Sequence, residues 1–287
     1  MIVNLNAQER LLILSLIRVE CDLMKFDNVL VPIDSSTLSE VAVDLAVHSA
    51  GVFATHLTFV YVSDVSKYNE FGSIDANMTA LRMKTEGKLA LESAGHLADQ
   101  AEIPYDTQLI EGIPWQVISD MSKEKDMIIM GVTGQGGITA GRVGSTAQKV
   151  IENSFCPVLT IKSGSRKIED ILLPVSNEHM AAIDIAIETA KRIDGKVTVM
   201  AVKGKLGDPE DLVNKVAAKI SEAGVKVDTK IATGNPVDAI VGASGMYDLV
   251  IMGTEGRKGL KKILNGSVAE HVMVNAACPV TIVRDIN

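Results

Sequence analysis

The chain is written twice. Residues 126–162 align without a gap on residues 248–284, with fourteen of 37 positions identical and a constant offset of 122. Gly131 falls on Gly253, Gly134 on Gly256, Gly144 on Gly266, Cys156 on Cys278 and Pro157 on Pro279. The same offset carries GIPWQVI from Gly112 onto GNPVDAI from Gly234. At the starts of the halves, NVLVPIDSS from Asn28 matches DILLPVSNE from Asp170 at an offset of 142. The first half therefore carries an insertion, placed around Lys67 to Asn77, between its first and third strands. A self-similar chain of this length reads as two copies of one unit of about 140 residues. The Gly/Ser/basic stretch Ser163 to Lys167 reads as the linker between them. The expected organisation is an N-terminal extension over 1–23, helical in character, then domains at 24–163 and 168–287.

Each half alternates short β-rich runs with amphipathic stretches. Strands are expected at 28–33, 55–62, 106–111, 127–131 and 157–161, and again at 170–175, 196–202, 227–232, 248–252 and 280–284. Segments such as SEVAVDLAVHSAG repeat their apolar residues every three or four positions, as helices do. Repeated βα alternation predicts an α/β fold of two open five-stranded parallel sheets with helices on both faces, Rossmann-like in architecture. Aromatic residues make up only 3% of the chain, so its core must be built from Val, Ile, Leu, Ala and Met, a palette suited to buried parallel strands.

Charge and cysteine use remove several classes of function. A net charge of −8 argues against a nucleic-acid partner, whose phosphates demand clustered Lys and Arg. A small anion is still permitted, because backbone N–H groups hold phosphate without net positive charge. Cys21, Cys156 and Cys278 form neither a disulfide framework nor a metal-ligand cluster, and the reading is a reducing cytoplasm. Cys156 and Cys278 precede prolines at equivalent strand starts, where a small buried side chain is expected rather than a redox centre. The five histidines, at positions 48, 56, 96, 179 and 271, show no metal spacing, and no G-x-S-x-G elbow occurs. The apolar run Leu11 to Ile17 is too short to span a bilayer and lacks the flanks of a secretory signal.

The chemistry concentrates after the fourth strand of each half. There the first half reads Gly131-Val132-Thr133-Gly134, nine residues, then Gly144-Ser145-Thr146 ahead of a helical segment. The second reads Gly253 to Gly256, nine residues, then Gly266-Ser267-Val268. Open parallel sheets bind ligands beyond the carboxyl ends of their strands, and glycines there let a backbone approach oxygens closely. Amides at the start of the next helix would face an anion, with the hydroxyls of Ser145 and Thr146 adding hydrogen bonds. A purely structural alternative stands beside this, in which the glycines make turns and Ser145 caps the helix. No Walker A loop and no dinucleotide fingerprint is present.

The pattern G-x2-G-x9-G-S/T, followed by a helix and a Cys-Pro-Val strand, resembles the nucleotide-binding signature of the universal stress protein family. The likeness runs from about Phe26 to Arg284 as a tandem pair. It implies an adenine nucleotide alpha hydrolase-like fold and, by similarity to the ATP-binding branch, a site for ATP or AMP, with Mg2+ carried through the phosphates. The residues it implies are Pro32, Ile33 and Asp34 ending the first strand, Val62 ending the second, and Gly131, Val132, Gly134, Gly144, Ser145 and Thr146. Their second-half counterparts include Gly253, Gly256, Gly266 and Ser267. Asp34 would approach the ribose. Its competing role is to cap the next helix, but Thr37 and Glu40 form a T-x-x-E capping box that leaves Asp34 to a ligand.

The second half departs from the pattern, with Ser176 where Asp34 stood and Val268 in place of Thr146, while Arg257, Lys258, Lys261 and Lys262 crowd its loop. The resemblance implies a nucleotide-binding regulator that signals to a protein partner. Slow ATP hydrolysis using Asp34 is the enzymatic alternative, and a scaffold without nucleotide the third. It also implies that VLTIK and VTIVR pair edge to edge, and that tandem chains associate as a homodimer.

Overall fold

The computed structural model describes residues 26–34, 36–53, 55–67, 73–132, 143–162, 168–203, 209–254 and 267–284. The N-terminal extension, the linker at 163–167, and Gly134, Gly256 and Gly266 lie outside the described residues. The first half runs β1 (Asn28–Ile33), α1 (Thr37–Phe53), β2 (His56–Asp64), a 3-10 turn (Val65–Lys67), α2 (Ser73–Gln100), β3 (Tyr105–Gly112), α3 (Pro114–Met121), β4 (Met127–Gly131), α4 (Ser145–Asn153) and β5 (Val158–Ile161). The second repeats it as β6 (Asp170–Val175), α5 (Met180–Ile193), β7 (Lys196–Lys203), α6 (Pro209–Glu222), β8 (Lys226–Thr233), α7 (Pro236–Ser244), β9 (Leu249–Thr254), α8 (Val268–Asn275) and β10 (Val280–Arg284). The insertion of the first half mainly lengthens one crossover helix. Helix α2 has 28 residues, whereas its counterpart α6 has 14.

The expectation of two five-stranded sheets requires one correction, because the strands form a single ten-stranded sheet, ordered β3-β2-β1-β4-β5-β10-β9-β6-β7-β8. All neighbours are parallel except β5 and β10, which pair antiparallel through Val280–Thr160, Thr281–Leu159 and Ile282–Val158. An unpaired edge at β5 would leave buried amides and carbonyls without partners, and β10 supplies them. Leu159 and Thr281 are equivalent under the offset of 122, so the seam sits on a local twofold axis. Thr160 Oγ1 donates to Val280 O at 2.9 Å, and Arg284 Nη1 crosses from the second half to Ser154 O at 3.0 Å.

Hydropathy explains which strands lie where. Central β4 and β5 are buried along almost their whole length, as strands covered on both faces must be, whereas the outer strands β3 and β8 are largely exposed. One core layer packs α1, α2, α5 and α6 on one face of the sheet, and the other packs α3, α4, α7 and α8 on the opposite face. The duplication extends to individual hydrogen bonds. Asp126 Oδ2 accepts from the Asn28 amide at 2.8 Å, and Asp248 Oδ2 from the Glu169 and Asp170 amides at 2.9 Å. Ser122 and Ser244 each donate to a carbonyl three residues back and accept the amide of Phe155 or Ala277 at 2.9 Å.

Cys156 and Cys278 are buried and free. Burial, reinforced by the Asp126 carboxylate, pushes the Cys156 thiol up to about 12. Burial and then Asp248 push Cys278 up to about 11, against a smaller lowering by hydrogen bonds to backbone groups. Both stay protonated at neutral pH and are poor nucleophiles. Iodoacetamide at pH 8 is therefore expected to leave both intact in the native protein and to alkylate both in denaturant, read by peptide mass spectrometry.

The seam makes a second prediction. Leu159 is buried at the twofold, and Leu159→Ala should cost about 2–5 kcal/mol. Trp115, the single tryptophan, lies in the first half. Because the sheet is continuous, its fluorescence and the far-UV circular dichroism of the whole chain should report one coincident denaturant transition.

Candidate functional site

In the first half the strand order reverses at β1, whose neighbours are β2 on one side and β4 on the other. Crevices open at such a point because the connections leave to opposite faces of the sheet. A cavity of about 360 Å³ lies there, within the size range of small-molecule sites. Strand β1 contributes Pro32 and Ile33 to its lining and the turn after it Asp34, β2 contributes Val62, β4 contributes Gly131, and the start of α4 contributes Gly144, Ser145 and Thr146. Eight residues singled out from the sequence are thus brought together. Val132 is buried behind them, where its amide donates to Ile161 O at 2.9 Å and its carbonyl accepts the Gly144 amide at 3.0 Å.

That last bond fixes how helix α4 meets the cavity. Gly144 is its N-cap residue, in extended conformation, and no side chain caps the helix. The Gly144 amide itself is spent on Val132, so the groups aimed at a ligand are the opening amides of α4, which no carbonyl of the helix can reach. Ser145 is the first helical residue and does not act as a cap. The helix presents its positive end to a cavity, an arrangement suited to an anion.

The second half has a different terminus. There Ser267 is the N-cap of α8, and its hydroxyl accepts from the Glu270 amide at 3.1 Å. The structural role proposed for serine at this motif is thus realised in the second half and absent from the first. Gly253 lies at the end of β9 with the ring of His179 directly over it, so close that a Cβ at this position would collide with the imidazole.

The turn after β1 corrects one detail of the sequence reading. The α1 cap is Ser36, whose Oγ accepts from the Ser39 amide at 3.2 Å and whose carbonyl accepts from Glu40 at 3.1 Å, rather than Thr37. Asp34 Oδ1 accepts from the amide and the hydroxyl of Ser36. Asp34 therefore braces the turn as well as lining the cavity, its carboxylate bonding the backbone two residues on.

Other lining residues were not singled out from the sequence. Strand β2 runs past Val62 to Asp64, which lines the cavity beside Lys67 of the following 3-10 turn. Met83 reaches in from α2, and Pro114 and Ile118 from α3. The lining so combines apolar side chains, two carboxylates, a lysine and a helix terminus. Among the described residues no group of His, Cys, Asp and Glu is arranged to hold a metal ion by itself, and no helix is long and apolar enough to cross a membrane.

Comparison with known proteins now separates family from fold. A universal stress protein of Methanocaldococcus jannaschii is 30% identical over 145 residues, covering 50% of this chain and 85% of that protein. One from Mycobacterium tuberculosis is 23% identical over 290 residues, covering 91% of this chain and 98% of its own. The crystal structure of a universal stress protein from Archaeoglobus fulgidus superposes with a TM-score of 0.77 at 19% identity, over 91% of this chain and 99% of that one. At that identity the superposition speaks for the fold alone. The profile of the universal stress protein family matches twice, over residues 25–162 and 167–284, and the chain belongs to that family as a tandem pair.

Proposed function

We propose that the first half binds an adenine nucleotide, ATP or AMP, and that occupancy of this cavity is what the protein communicates to a partner. The observation that carries the reading is the start of α4, a helix terminus without a side-chain cap that opens onto a cavity at the point of strand reversal. The phosphates lie against the amides and hydroxyls of Ser145 and Thr146, with Gly131 allowing close approach. Asp34 meets the ribose, and backbone groups near Ile33 and Val62 hold the adenine. Lys67 at the cavity wall offsets phosphate charge, and Mg2+ would be carried through the phosphates, with Asp64 the lining carboxylate to assist in holding it. A homodimer of tandem chains in the cytoplasm is the expected assembly.

Protein purified without added nucleotide and then denatured should release ATP, ADP or AMP, identified by chromatography and mass spectrometry. Release of nothing, together with an unchanged melting temperature on adding ATP, would leave the scaffold reading in its place. Gly131→Val should abolish binding by filling the crevice. Asp34→Ala should weaken ATP by about 10- to 100-fold, the loss of a hydrogen bond to a charged group of about 1.5–3 kcal/mol. Lys67→Ala should weaken ATP while leaving adenosine unchanged in calorimetric titrations. Phosphate release over hours separates the regulatory reading from slow hydrolysis.

A further inference from the structure

The two halves depart from each other most where the first strand hands over to the first helix. In the strands the equivalence runs at 142, with Leu30 matching Leu172 and Val31 matching Leu173, all fully buried. In the helices the buried positions Ala42, Val43, Leu45, Ala46 and Ala50 match Ala182, Ile183, Ile185, Ala186 and Ala190 at an offset of 140. Between equivalent positions of strand and helix the second half is therefore two residues shorter, and its helix starts three residues later in that register, at Met180 rather than at the equivalent of Thr37. The position of Ser39, within the first turn of α1, is thereby occupied by His179, which caps the later-starting α5.

Ser39 is small, buried and part of the cavity wall, with its Oγ accepting from the Asp34 amide at 3.2 Å. His179 is also buried, and it is the N-cap of α5. Its Nδ1 accepts from the Ala182 amide at 3.2 Å, which leaves Nε2 as the protonated nitrogen facing Thr254 O at 3.4 Å. Thr254 is the counterpart of Val132, whose carbonyl in the first half holds the N-cap glycine of the phosphate-facing helix. The imidazole thus lies on Gly253, the counterpart of a glycine that lines the cavity, and bonds the counterpart of the carbonyl that organises it.

We propose that His179 closes the second crevice to nucleotide, so that the chain carries one adenine-nucleotide site rather than two. The inference rests on the reading of the first half as a nucleotide site. A ring seated on Gly253 fills space that a ligand would need, and both of its nitrogens are engaged in holding it there. Ser176 stands where the first half has the ribose-facing Asp34, and Ser267 caps α8, so the second crevice lacks both the carboxylate for a sugar hydroxyl and the uncapped terminus for an anion. His179 is in this sense the residue that decides stoichiometry. Replacing it with the smaller side chain of the first half should reopen the crevice.

The test uses the full chain freed of nucleotide, titrated with ATP by equilibrium dialysis, and photolabelled with 8-azido-ATP to map the labelled peptides. Wild type should bind one nucleotide per chain with label confined to the first half. His179→Ser, or the double variant His179→Ser with Ser176→Asp, should bind two and carry label in both. Retention of the first site in the variants reports that they remain folded. Label in both halves of wild type overturns the closure while sparing the first site. A stoichiometry that stays at one in both variants overturns the role of His179. If wild type binds none but a variant gains label in its second half, the reading of the first half fails while the closure stands. Absence of binding in every protein overturns both.

Discussion

The antiparallel pairing of β5 with β10 is the contact from which the rest of the architecture follows. Each half, taken alone, ends its sheet on a short, fully buried apolar strand whose outer backbone groups need partners. Because the two edges are copies of one another, the pairing that satisfies both places equivalent residues opposite each other at Leu159 and Thr281. The helices then fall into two layers that run across the seam, so that each core layer draws residues from both halves. The outer strands, β3 and β8, bound the sheet with polar, exposed side chains that discourage further growth.

The candidate site depends on a smaller choice, made where β4 passes to α4. A helix start needs partners for its first amides. In the second half Ser267 meets that need from within the protein; in the first half Gly144, whose own amide is tied to Val132, leaves it to whatever enters the cavity. One residue of shift in where the helix begins separates a self-contained terminus from a receptive one. Identical glycine spacing therefore does not by itself make two equivalent sites.

Much of the fold was legible in the sequence because the buried strands are runs of Val, Ile and Leu bounded by polar residues, and because each was written twice. The edge-to-edge pairing came from the family resemblance and not from these patterns, and the fusion into one sheet that it produces was not foreseen. The cap of α1 was misread. Thr37 and Glu40 have the spacing of a capping box, but Ser36 lies one residue earlier and Asp34 braces it. Asp64 and Lys67 escaped notice because β2 outruns its apolar stretch, and Met83, Pro114 and Ile118 because crossover helices bring them in from far along the chain. His179 showed only as a histidine without metal spacing. Its place became visible once burial fixed the helix register, since a two-residue change in spacing between strand and helix falls among polar residues with no hydrophobic pattern to reveal it.

The local twofold at Leu159 and Thr281 has a consequence for how such a molecule can change. In a dimer of identical subunits every substitution arises twice, and a side chain that blocks one crevice blocks its mate. Here the same geometry is held by a single chain whose halves are separately encoded. One crevice can lose its ligand, or acquire another, while the seam keeps supporting the one that remains.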